Sequence, residues 1–161
     1  MSELTDALIE CERYVEPMRV GRNAFRLACH LERPATPDEI FRAWPNREMP
    51  SEAIEMWTLH RAGELFVDVD FGQWGLRLLD PSASAVRTAL ERRLRPADIT
   101  DSDVVLGEFL GDLELLVVDG TGRPMIALPL DSRDDWFVPA ETLGNFLAKY
   151  VRVRGDKFWE R

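Results

Sequence analysis

The sequence is poor in the residues that most often carry chemistry. Only two cysteines, Cys11 and Cys29, and two histidines, His30 and His60, occur in 161 residues. Two cysteines make no disulfide framework, and they read as small buried hydrophobes of a reducing compartment. Cys29 and His30 are adjacent, and neighbours on a strand point to opposite faces, so they are a poor joint ligand pair. No C-x-x-C, H-E-x-x-H or His-rich tract is present, which argues against zinc. No G-x-S-x-G elbow appears, and Gly120 and Gly122 sit in a hairpin-like "DGTG" instead of a strand-to-helix phosphate cradle. No apolar run approaches the ~20 residues of a membrane span. The opening "MSELTDALIECERYV" has acids where a signal peptide has bases. The expectation is a cytoplasmic chain that needs no metal, cofactor or membrane.

What is present is enough to fold. Hydrophobic residues make up 45% of the chain and charged residues 30%, with five tryptophans. That balance excludes intrinsic disorder, and the length suits one domain over residues 1–161. The formal net charge is −9, which repels nucleic acid and either favours a basic protein partner or serves solubility alone. The tail "KYVRVRGDKFWER" is locally basic and reads as a solvated end.

Periodicity supplies the elements. Leu4, Leu8, Cys11, Val15 and Met18 form a helical stripe over residues 2–20, with Gly21 as a stop. Phe25, Leu27, Cys29 and Leu31 alternate as in a strand. "TPDEIFRAW" opens a helix through Thr36, Pro37 and a capping-box Glu39. "MPSEAIEMWTLHRAG" is a second helix, with Ala53, Ile54, Trp57 and Arg61 on one face and Gly63 ending it. "ELFVDVDF" and "GQWGLRLLDP" pair around Gly72. "PSASAVRTALERRLRP" is helical with Val86, Leu90 and Leu94 aligned as its apolar face. "DVVLGEFL", "LELLVV" and "PMIALPL" are three strands, the last two joined by the Asp119-Gly120 hairpin signal. "WFV" is a short strand, and a closing helix from Pro139 aligns Leu143, Phe146, Leu147, Tyr150 and Val151. The sum is α+β, with helices packed on a mostly antiparallel sheet.

Two groups of carboxylates stand out. Asp68 and Asp70 fall two apart on a strand, and Asp131, Asp134 and Asp135 crowd one loop before Trp136. Such acids suit acid–base work or a cation, but the D-x-D pair has no EF-hand continuation and acidic loops are mostly solvated. Acids beside an aromatic suit protein binding as well. Trp44 and Trp57 read as core, while Trp74 in "GQWG" is a half-buried residue or an exposed anchor.

The order of these parts resembles the SUKH superfamily, whose bacterial members are mostly immunity proteins of polymorphic toxin systems. The likeness runs over residues 36–151, from "TPDEI" through "MPSEAIEMWTLHRAGELF", "GLRLLDP" and "VLGEFLGDLELLVVDGTG" to "PLDSRDDWFVPAETLGNFLAKYV". The helix of residues 1–22 lies outside it. The family's more usual "LP" and "NGG" signals stand here as "MP" and "RAG". The resemblance implies a non-catalytic protein that binds and sterically neutralises a toxin, and with the acidic charge the expected target is a basic one such as a nuclease or deaminase. A regulatory adaptor, as in members that look like cell-wall assembly regulators, or a small-ligand-binding module on the same fold is the alternative. The expected state is a monomer or a weak homodimer. Asp68, Asp70, Trp74, Asp131, Asp134 and Asp135 are the candidate contacts.

Overall fold

Each strand pairs with the strand before it in the chain, so the sheet is a plain antiparallel meander. A computed structural model describes residues 1–45 and 48–161. Its strands are β1 (Met18–Arg19), β2 (Arg26–Leu31), β3 (Gly63–Asp68), β4 (Leu76–Leu78), β5 (Val104–Phe109), β6 (Leu115–Val118) and β7 (Pro124–Ala127), in the spatial order β1-β2-β3-β4-β5-β6-β7. The helices are α1 (Glu3–Cys11), α2 (Pro37–Ala43), α3 (Ser51–Leu59), α4 (Pro81–Leu94) and α5 (Leu143–Arg152). The α+β class read from the sequence is the class observed. Among the described residues, no helix is long and apolar enough to cross a membrane.

Side-chain alternation divides the sheet into two packed faces. Val104, Leu106, Leu116, Val118 and Ile126 join the main core with α1, α3 and α5. Their neighbours Val105, Leu115, Val117, Met125 and Ala127 form a second core with Leu79, Ile99 and Trp136. Burial on both faces explains why β5 to β7 read as near-continuous apolar runs. α5 supplies Leu143, Phe146, Leu147, Tyr150 and Val151 to the main core, all buried. Its first turn starts at Leu143, later than Pro139, because Thr142 caps it through the Asn145 N–H at 3.0 Å.

Phe66 holds a left-handed φ of 53°, a conformation that costs a non-glycine residue roughly 1–2 kcal/mol. The register slips opposite it, between Ala28 and His30, and Leu65 and Phe66 both enter the main core. Gly155 makes room: a Cβ there would lie 2.5 Å from the Phe66 Cβ.

Several expectations need correction. The stripe of residues 2–20 is not one helix. α1 stops at Cys11, a 3-10 turn follows over Glu12–Tyr14, and Met18–Arg19 is an edge strand. Pro17 has no N–H to continue the ladder and biases Glu16 away from α. α3 ends at Leu59, so Gly63 opens β3, and the buried face of α3 is Ala53, Met56 and Trp57. Arg61 lies beyond that helix and pairs with Glu32 and Asp80. "WFV" contributes a single bridge, Phe137 to Ile126.

α4 is turned over relative to its apparent stripe. Val86 and Leu94 are 67% and 64% exposed, while Ser84, Thr88 and Glu91 face the protein. Small hydroxyl side chains let the helix lie close to β5, where Ser84 Oγ donates to the Val105 carbonyl and the Val105 N–H donates to Thr88 Oγ1. The basic tail is not a loose solvated end either. Lys157 is buried, its ammonium bonded to Asp112 and Glu114 and set against the rings of Trp74 and Phe109.

Candidate protein-binding surface

Of the acids singled out by their spacing, Asp68 and Asp70 are engaged in holding the β3–β4 turn. Asp68 ends β3 and is buried, and its carboxylate accepts the N–H groups of Asp70, Phe71 and Gln73 at 3.0, 3.1 and 3.1 Å. It is the internal cap of the β3–β4 turn. Asp70 lies past the strand end, so the two do not share a face. It faces solvent in a two-point contact with Arg26 at 2.7 and 3.0 Å. The Arg26 hydrogen bond holds the Asp70 carboxyl below the usual range, and Asp70 raises Arg26 in return. Trp74 is half-buried, donating Nε1 to the Gly155 carbonyl at 3.1 Å.

Asp131, Asp134 and Asp135 are exposed, but their loop is pinned from inside. Arg133 reaches the buried Asp103 carboxylate at 2.5 and 3.1 Å and the Asp98 carbonyl at 2.7 Å. Its pKa rises through the Asp103 hydrogen bond. Trp136 is buried, with the guanidiniums of Arg95 and Arg133 at 5.2 and 5.5 Å from its ring centre. It therefore presents no exposed aromatic beside the acids. Trp74 packs on the main core and Trp136 in the second, so the two groups of candidates are anchored on opposite faces of the sheet and form no single site.

Among the described residues, no reactive constellation replaces them. Cys11 and Cys29 are both buried, and the neighbouring Cys29 together with burial pushes the Cys11 thiol up. His30 is exposed on β2, while His60 Nδ1 lies 2.7 Å from the Glu32 carbonyl. Among the described residues, no three His, Cys, Asp or Glu side chains gather as metal ligands would.

The open apolar surface lies between α2 and α3. α2 starts on the anticipated capping box, Thr36 with Glu39, and Pro37 at its first turn. None of its residues is buried. Its apolar face of Pro37, Ile40, Phe41 and Trp44 looks across Met49 to Ile54 and Thr58, enclosing a groove of about 370 Å³. Phe41 is 65% exposed at its rim. The floor is rigid. Trp57 on the far side of α3 is fully buried, donates Nε1 to the Leu79 carbonyl at 2.9 Å, and accepts the Ala35 N–H on its own carbonyl at 2.9 Å.

The same helical layer holds the charge. Residues 2–12 and 36–58 contain nine carboxylates against two arginines, a net −7 of the chain's −9, and the remainder is nearly balanced. Some of these acids are structural: Glu52 caps α5 through the Leu143 and Gly144 N–H groups at 3.1 and 2.8 Å, and Glu55 accepts from Thr5 and Ser2. Asp38 and Glu48 are exposed and make no ion pair among the described residues. Sequence reasoning placed Trp44 in the core, and the structure packs it half-buried against that core, but the groove it also lines was missed. The available signal was Ile40, Phe41 and Trp44 on one side of a helix too short to bury them.

Models of known protein families and curated proteins were both compared with the chain, and none matches.

Proposed function

We propose that this chain is a non-catalytic binding protein that captures a basic protein and covers its active cleft. This is the toxin-neutralising role that the resemblance to the SUKH superfamily implies, exercised in the cytoplasm by a monomer or a weak homodimer. The observation that carries the reading is the coincidence of the acidic helical layer with an open apolar groove on a rigid floor. Long-range attraction speeds encounter with a positive partner, and a few buried apolar anchors slow its release. Turnover plays no part in it, and Asp68 and Asp70 are committed to capping and pairing.

Co-expression with the toxin domain encoded beside this gene in its native locus tests the proposal. Growth is restored if the reading holds. A locus with no toxin gene, or growth arrest undiminished by the wild-type chain, contradicts it.

The adaptor or small-ligand alternative finds its support in the same groove, whose volume falls in the range of ligand pockets. Among the described residues of its lining Thr58 is the one hydroxyl, and its Oγ1 already donates to the Ile54 carbonyl at 2.7 Å. A polar metabolite would find little there to orient it.

A further inference from the structure

We infer that the α2–α3 groove seats a single large apolar side chain of the partner, flanked on both sides by lysine or arginine. The inference rests on the binding reading above and adds the chemistry of the segment that docks.

Volume sets the size of the occupant. Ligand pockets run from roughly 300 to 1,000 Å³, and about 370 Å³ stands near the lower limit. That space fits one aromatic or large aliphatic side chain better than a cofactor. The walls suit such a guest. Phe41 and Trp44 are rigid aromatic surfaces of the kind that dominate binding hot spots, and Met49 adapts its shape to what it meets.

Charge sets the flanks. Asp38 follows the lining residue Pro37, and Glu48 precedes the lining residue Met49. Both carboxylates are exposed. A guest chain crossing the groove carries its neighbouring residues over these acids, where cations are favoured and anions repelled. The net −3 of residues 36–58 works against an anionic lipid surface or a nucleic acid as occupant.

The direct test is an NMR titration of the full chain with a synthetic peptide carrying one phenylalanine between two pairs of lysines. The expected result is movement of the Trp44 indole and Met49 methyl signals. Binding should weaken at least tenfold when the peptide's phenylalanine becomes serine or its lysines become glutamates. Phe41→Ser should give the same loss, and Asp38→Lys with Glu48→Lys should repel the peptide while leaving the groove walls unchanged. Shifts centred on the β3–β4 turn or the 131–135 loop, or equal binding of the glutamate-flanked peptide, overturn the inference. The neutralisation assay separates this idea from its parent. A wild-type chain and a folded Phe41→Ser chain that neutralise the toxin equally remove the groove and keep the binding role. A wild-type chain that fails removes the binding role itself.

Discussion

The 131–135 loop and the α2–α3 groove are both acidic and both lie beside a tryptophan, yet they are built in opposite senses. In the loop the aromatic turns inward, with Arg95 and Arg133 stacked close to its ring, and Arg133 also pairs with the buried Asp103. In the groove Trp44 lines a wall, Phe41 stands out into solvent, and the nearby Asp38 and Glu48 make no ion pair among the described residues. A crowd of aspartates in sequence thus marks a loop whose backbone needs fixing. Acids spread thinly over three helices build the stronger field. Spacing finds the first arrangement, whereas only the fold assembles the second.

Substitutions sharpen the contrast, beginning with the rigid floor. Trp57→Ala should destabilise the protein by about 3–5 kcal/mol, since it empties a fully buried site; chemical denaturation measures it. Arg133→Ala should cost about 3 kcal/mol by removing the guanidinium from the buried Asp103 carboxylate. A loss under ~1 kcal/mol would mean that the loop is as open as the groove. Thr88→Val removes the acceptor of the buried Val105 N–H and should cost about 1–3 kcal/mol. Phe41→Ser should leave stability within about 0.5 kcal/mol of wild type, as expected for an exposed position. A large loss there would show that Phe41 packs in solution, and the two regions would no longer differ.

The helices show how far the sequence could be read and where it misled. In α5 the apolar stripe was legible, and the structure buries all five of its residues, because only large side chains can fill the main core beneath it. α4 carries a comparable stripe of Val86, Leu90 and Leu94, but hydrogen bonds from Ser84 and to Thr88 bring its polar face against β5. Periodicity reports a face without saying which way it turns. The meander was readable from the Asp-Gly turn and the apolar runs of β5 to β7. The early end of α1 was signalled by Pro17, although the stripe around it runs on. Of the six candidate contacts, Asp68 and Asp70 were visible as a pair, yet the strand ends between them and gives each a different task. The groove was hidden because its walls come from separate segments that join only after folding.

Hydrogen exchange of this chain with and without the toxin from its own locus tests the central claim most directly. The account predicts slowed exchange within residues 36–58, concentrated in α2 and the start of α3, and unchanged exchange at residues 131–135. Protection confined to that loop or to the β3–β4 turn, with α2 and α3 unaffected, would contradict it.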